Sequence, residues 1–506
     1  MAGRGGPELA VAAAHDAPVT NEPARLHPAV WGVAAAFVAL ELAVSARYGF
    51  HRDELYFVVA GRHLAAGYVD QPPLAPLLTR VATGLWGTNA SAIRVFPALA
   101  GAGVVIASAV TARLLGGRAV AQVLTALAVA CAPVTLAAAH LANTTVYDLL
   151  AWTVAIACVV AAVSRGRSRA WTGAGLAVGL GLENKDLLLL AVVAVAIGIL
   201  VAGPRRAFTD RWLWAGAAIA LVLWSPNLVW QAAHGWPELT MSRSLRREHS
   251  SGSDYVTVLP AQLVYVGLAA VPLAVVGVRR LLRDRALRYL AIAAGVVVVF
   301  VVFDIPGRPY YTDGLMPLVF AAGAVTVEQR RASFRAARVW LAAPVAGLVL
   351  SVVVILPVLP AANLAHIHGI HKLNYDLTET IGWPQLADQL GTIYRSLPPD
   401  QRPGTSIYTG NYGEASALVL FGSRLPPVLS AHNTWWLWGP GRAPDTTVLA
   451  VGAAGQLSPY FARCTRVASY VPPHDVPNDE NGVDISVCTG PRRPWPAFWR
   501  QLKFYG

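Results

Sequence analysis

Charge is scarce in this chain. Only 13% of its 506 residues are Asp, Glu, Lys or Arg, while 55% are hydrophobic. Soluble chains carry roughly 25% charge, so the shortage excludes an ordinary soluble globule and points to a polytopic membrane protein. Lysine is almost absent, occurring at Lys185, Lys372 and Lys503 alone. Basic function therefore rests on arginine. The net charge of +12 is no nucleic-acid signature, because the arginines fall mostly in short loops between apolar runs, where they set topology. No nucleic-acid partner is expected. There is no internal repeat and no Walker or Rossmann glycine motif, the marks of many transporters and of nucleotide sites. No cleavable signal peptide is apparent. Residues 1–27 are polar and rich in Ala, Gly and Pro, and are expected to be a disordered, cytoplasmic segment. Of four cysteines, Cys131 and Cys158 lie in apolar runs, whereas Cys464 and Cys488 lie in the polar last third and are candidates to pair.

What the chain does have is about eleven apolar segments of roughly 15–25 residues. They cover 29–47, 91–115, 119–139, 145–163, 170–182, 187–201, 212–230, 256–278, 287–303, 314–327 and 339–359. The fifth, sixth and tenth are short for a span. Every second loop is arginine-rich: Arg113 and Arg118, Arg165 to Arg169, Arg205 to Arg211, Arg279 to Arg288, and Arg330 to Arg338. Those loops are expected in the cytoplasm, together with the N-terminus. Residues 28–360 then form the transmembrane domain, and residues 361–506 an α/β domain outside. That domain carries a helix over 384–397 and strands over 405–409 and 446–451. Arg243, Arg246 and Arg247 break the rule in an outer loop, where they either hold an anion or are simply tolerated.

The outer side concentrates polar residues. The first outer loop, 48–90, begins Tyr48-Gly-Phe-His-Arg-Asp-Glu-Leu-Tyr-Phe57 and continues through a helix-like 54–66 to Gly67-Tyr-Val-Asp-Gln-Pro-Pro73. Acidic groups beside a lipid face are usually in use, although an interfacial Asp-Glu pair is also cheap to keep where water is near. Leu74, Leu77, Leu78, Val81, Ala82 and Leu85 repeat at helical spacing, giving a helix that lies in the interface or packs on other helices. Glu183-Asn-Lys-Asp186 interrupts an apolar run and is either a short hairpin or a lipid-phosphate site at Lys185. Arg308, Tyr310 and Tyr311 in the outer loop 304–313 either bind phosphate or sugar or form an interfacial belt. In the outer domain, Asn411-Tyr-Gly-Glu414 and His432-Asn-Thr-Trp-Trp-Leu-Trp438 stand out. The tryptophans either stack on sugar rings or dock the domain on the membrane.

His51-Arg-Asp-Glu-Leu-Tyr-Phe57, Gly61-Arg-His-Leu64 and Gly67-Tyr-Val-Asp-Gln-Pro-Pro-Leu74 resemble the first outer loop of the GT-C membrane glycosyltransferases. The nearest likeness is to the bacterial branch of glycosyltransferase family 39, which holds protein O-mannosyltransferases and the lipid A aminoarabinose transferase. Asn411-Tyr-Gly-Glu414 and His432-Asn-Thr-Trp435 look like actinobacterial members of that group. The resemblance implies a GT-C fold, a polyprenyl-phosphate sugar donor and an acceptor on the outer face. It implies that Asp53 is the catalytic carboxylate and Asp70 the second acidic position. The aminoarabinose transferase has Glu-Lys where this chain has Asp70-Gln71, so Lys185 or outer arginines must supply the phosphate contact.

The chemistry suits one carboxylate. A lipid phosphate leaves without a protonating acid, so the reaction needs a base for the acceptor hydroxyl and cations for the phosphate. Glycosidases need two carboxylates at a set separation. Asp53, Glu54 or Asp70 could hold a divalent metal, yet hard-cation sites usually offer more oxygens, and none is assigned. The expected enzyme is a mannosyltransferase-like inverting transferase in the plasma membrane. Asp53 and Asp70 are its catalytic candidates. Its substrate-binding candidates are His51, Arg52, Glu54, Gln71, Lys185, Arg243, Arg308, Tyr310 and Tyr311. Its partners are the lipid-linked sugar, membrane lipids and a glycan, protein or lipid acceptor. The rival readings are a lipid or sugar transporter and a non-catalytic envelope-assembly protein.

Overall fold

A computed structural model describes residues 25–248, 252–304, 309–330 and 334–506. Each of the eleven apolar runs is helical. The shortest, Ala170–Leu182, Met316–Gln329 and Leu188–Ala202, have 13, 14 and 15 residues. Among the described residues, four helices are long and apolar enough to cross a bilayer: Ala90–Leu114, Thr145–Arg165, Arg211–Ala233 and Arg335–Ile355. Two bent pairs raise the number to six if each is one span. The first bends by 59° between Ala119–Ala130 and Pro133–His140. The second replaces the single run expected over 256–278, bending by 93° between Pro260–Val266 and Leu268–Arg283. The two bends meet. Gly267 sits at φ +80°, and a Cβ there would lie 2.9 Å from Pro133 Cδ, so only glycine allows both the turn and the approach.

The outward faces are apolar: Val222, Val229, Val339 and Val349 are all exposed. That is the surface of a helix bundle meant for lipid rather than water. At one end the arginine loops converge. Arg165 Nε donates to Leu114 O (2.6 Å), Arg280 to Leu115 O (3.2 Å) and Gln329 Oε1 (3.0 Å), and Glu328 Oε2 accepts from the Arg118 N–H (2.6 Å).

At the other end sits a five-stranded sheet of β1 (Thr405–Thr409), β2 (Val428–Ser430), β3 (Thr447–Val451), β4 (Phe461–Ser469) and β5 (Asp484–Pro491). Its order is β2-β1-β3-β5-β4, with β2, β1 and β3 parallel and the last two antiparallel. The two strands and the helix expected from sequence are present, the helix as Trp383–Ser396. Three strands were missed. Cys464 and Cys488 lie opposite each other on β4 and β5 and form a disulfide.

The sheet does not sit apart from the first outer loop. Leu55 and Val58 of helix Arg52–Ala60 belong to the same buried cluster as Trp383, Ile407, Leu418 and Leu449. The helix expected over 54–66 therefore ends at Gly61 and is a shared core element. Helix Leu74–Trp86 turns Ala75, Thr79 and Ala82 inward and leaves Leu77, Val81 and Leu85 exposed, the last by 64%. The helix therefore presents an apolar edge that its neighbours in the chain do not cover.

Candidate active site

Helix Arg52–Ala60 begins with a reciprocal cap. The Asp53 N–H donates to His51 Nδ1 (3.2 Å), and the His51 N–H donates to Glu54 Oε2 (2.8 Å). Such a box fixes the first turn, and with it the directions of residues 53 and 54. Those directions diverge because neighbours on a helix stand about 100° apart.

Glu54 points into the bundle and is fully buried. Its carboxylate accepts from Arg94 Nε (2.9 Å), Arg94 Nη2 (2.7 Å) and the Ala142 N–H (2.9 Å). Arg94, also buried, spends its remaining donors on Ser45 O and Gly49 O. Glu54 was expected to touch substrate. The structure instead makes it half of a closed ion pair that anchors the loop to the membrane helices.

Asp53 points the other way, with its side chain 33% exposed. Its Oδ1 accepts from the Tyr412 hydroxyl at 2.7 Å. One turn further on, Tyr56 donates to Asp70 Oδ1 at 2.8 Å. The Tyr56 and Tyr412 rings lie against each other, centroids 4.9 Å apart. Two tyrosine–aspartate bonds thus run side by side, and they bring together the two carboxylates that the sequence picked out 17 residues apart. Burial pushes both phenols above their usual range, so both remain donors.

Asp70 is held further by Asn433 Nδ2 (3.1 Å) and Thr434 Oγ1 (3.3 Å). Thr434 also accepts the Val69 N–H (3.0 Å). Asn433 adopts φ +50°, a left-handed conformation that non-glycine residues take at a cost. Burial is the main reason the Asp70 carboxyl rises to about 6. The His432 ring lies tilted against Tyr412, centroids 5.0 Å apart, and burial lowers its imidazole to about 4, so it is neutral. The tryptophans do not face a bare membrane. Trp435 packs with Tyr56 and Tyr68, and Trp438 lies 4.8 Å from the His63 ring.

The remaining candidates separate into groups. Arg52 reaches Asp479 Oδ2 (3.3 Å) and lies over the Tyr375 and Tyr412 rings. His51 is buried, with Nε2 3.6 Å from Asp376 Oδ1. Gln71 is buried beside Asp70 and its Nε2 has no hydrogen-bond partner among the described residues. Lys185 comes together with two of its expected companions, its Nζ standing 4.5 Å from the Tyr311 centroid and 5.2 Å from that of Tyr310. Its charge also opposes the burial that raises the Asp313 carboxyl. The Lys185 break touches the end of the Gly67 to Pro73 stretch, where the Leu74 N–H donates to Glu183 O at 2.8 Å. Arg243 is exposed on helix Pro237–Glu248, with no described contact to either aspartate. Arg308 lies outside the described residues.

Sequence reasoning gave no role to Tyr56, although it stands inside the first-loop motif. It saw Tyr412, Asn433 and Thr434 only as parts of outlying clusters. Tyr375 and Asp479 carried no sequence signal at all.

A sequence model of the family described as dolichyl-phosphate-mannose-protein mannosyltransferase matches residues 70–230. The crystal structure of ArnT from Cupriavidus metallidurans in the apo state superposes with a TM-score of 0.60 at 19% identity, covering 90% of this chain and 98% of that one. The same protein bound to undecaprenyl phosphate gives a TM-score of 0.61 at 19% identity, over 91% and 98%. No curated protein sequence matches the chain. The likeness to the GT-C glycosyltransferases read from the first outer loop is borne out, and the GT-C membrane fold extends over nearly the whole chain.

Proposed function

We propose that this protein is a membrane glycosyltransferase that moves a monosaccharide from a polyprenyl-phosphate donor to an acceptor at the extracytoplasmic face. One observation carries the reading. Asp53, partly open to solvent, is paired through touching tyrosines with Asp70, and the outer domain supplies the residues that hold both. The undecaprenyl phosphate bound by ArnT and the lipid-linked donor named for the matching family support a donor of the same chemical class.

The reaction is a single displacement. Asp53 takes the proton of the acceptor hydroxyl as its oxygen attacks the anomeric carbon. The bond from that carbon to the phosphate oxygen breaks, and its electron pair leaves with the lipid phosphate. Asp70 orients the acceptor or the base. Lys185, over its two tyrosines, and the outer arginines offset the charge that grows on the phosphate. Tyr412 keeps Asp53 in one rotamer, which spares the reorganisation otherwise needed at each turnover.

The arginine loops gathered at one end support a cytoplasmic position for that end, with the aspartates outside. The Cys464–Cys488 disulfide suits an oxidising compartment. The test is stereochemical. With a polyprenyl-phosphate sugar of defined anomeric configuration, the product should carry the opposite configuration. A retained configuration would rule out single displacement.

A further inference from the structure

Behind Arg52, two segments bring three ligand-type side chains together. His371 and Glu379 come from the linker between bundle and sheet, and Asp479 from the loop between β4 and β5. One ligand atom of each lies within 4.8 Å of the other two.

Hydrogen bonding fixes the histidine. Thr378 Oγ1 donates to Tyr375 O (2.9 Å), so toward His371 Nδ1, 2.7 Å away, that hydroxyl acts as acceptor. Nδ1 therefore carries a proton, and in the neutral ring Nε2 presents a lone pair. Nε2 faces Asp479 Oδ1 at 3.5 Å. That exceeds the roughly 2.7–3.2 Å of an N–H···O bond. It matches two donors on one ion, since bonds of about 2.0–2.1 Å at a tetrahedral angle set neighbouring ligand atoms about 3.4 Å apart.

The carboxylates fit the same picture. Asp479 Oδ2 is engaged by the Tyr375 hydroxyl (2.5 Å) and by Arg52 (3.3 Å), which leaves Oδ1 toward the histidine. Glu379 is fully buried. Its Oε1 accepts the Asp479 N–H (2.8 Å), and its Oε2 has no hydrogen-bond partner among the described residues. A buried carboxylate oxygen in that state is costly unless a proton or a cation meets it.

We propose that His371, Glu379 and Asp479 form a divalent-cation site of mixed nitrogen and oxygen ligands, suited to zinc, that fastens the linker to the outer domain behind Arg52. His371 contributes Nε2, Asp479 Oδ1 and Glu379 one carboxylate oxygen, and water takes the fourth position. The ion positions rather than reacts. It fixes Asp479, Asp479 holds Arg52, and Arg52 is the neighbour of Asp53.

The experiment uses the full chain in nanodiscs, stripped with a chelator and titrated with zinc against a chelating dye. Cobalt substitution reports the ligand geometry. The wild type should take up one equivalent and give the strong visible bands of a four-coordinate cobalt site. His371→Gln should weaken zinc binding by more than about 100-fold. Thr378→Val keeps all three ligands and loses only the group that orients the imidazole, so it should weaken binding by about 10–100-fold. If His371→Gln fails to fold, Thr378→Val and the wild-type cobalt spectrum decide. Failure of the wild type to bind stoichiometric zinc would overturn the proposal, as would equal binding in both variants.

Discussion

At the scale of single residues, the site depends on which way each side chain of one helical turn points. Asp53 and Glu54 are adjacent in sequence and look interchangeable there. The helix turns Asp53 toward Tyr412 and solvent and Glu54 into Arg94, a distinction that depends on the fold around them. Tyr412 is the clearest test of the orienting role. Tyr412→Phe removes one hydrogen bond to a charged group, worth about 1.5–3 kcal/mol, and should lower turnover about 10–100-fold with little change in donor affinity. Stopped donor-binding and turnover measurements on the same preparation check this. Asp70 predicts a pH dependence. Burial lifts its carboxyl from 3.8 to about 6, so below about pH 6 it gains a proton and loses its role as an ionised acceptor. Turnover should fall on the acid side of pH 6, and Asp70→Asn should flatten that limb at a lower overall rate. The stability contribution has the opposite sense. A raised folded-state value means that it is fully present below about 3.8 and lost as pH rises through about 6.

At the scale of elements, the helix Arg52–Ala60 joins the two halves. It is tied to the bundle by the Glu54–Arg94 pair and to the sheet by Leu55 and Val58. Arg94→Met leaves a buried carboxylate without its cation and should destabilise the protein by about 3–5 kcal/mol, read as a lower thermal midpoint in detergent. The apolar runs were legible because each is long and needs no partner to be recognised, and the alternation of arginine loops needed only counting. The sheet was harder to read. β2 has three residues, and β4 is an edge strand with Arg463 and Arg466 exposed, so neither shows a buried alternating face. The motifs around Tyr412 and Asn433 were visible as unusual, but their purpose is to touch a loop more than 340 residues earlier. No local pattern records a contact of that range. The disulfide between β4 and β5 spans 24 residues of sequence, and removing it with Cys464→Ser and Cys488→Ser should cost roughly 3 kcal/mol by loop-closure entropy.

At the scale of the whole molecule, an arginine-lined end and an aspartate-bearing end lie at opposite ends of an apolar waist. A reporter fused after Pro360 should be active only outside the cytoplasm, and one placed within residues 165–169 only inside. The reverse would put the site on the wrong face for a lipid-linked donor delivered outside. The central claim is that Asp53 is the base of a sugar transfer whose donor is held elsewhere, near Lys185. The most direct measurement is donor affinity and turnover of Asp53→Asn beside wild type in nanodiscs, with a polyprenyl-phosphate sugar as donor. Asparagine keeps the shape and can still accept from Tyr412. Donor affinity should stay within about threefold of wild type, since the lost interaction belongs to the transition state. Turnover should drop by about 10²–10⁴, the usual contribution of a general base. Full turnover in Asp53→Asn would contradict the account.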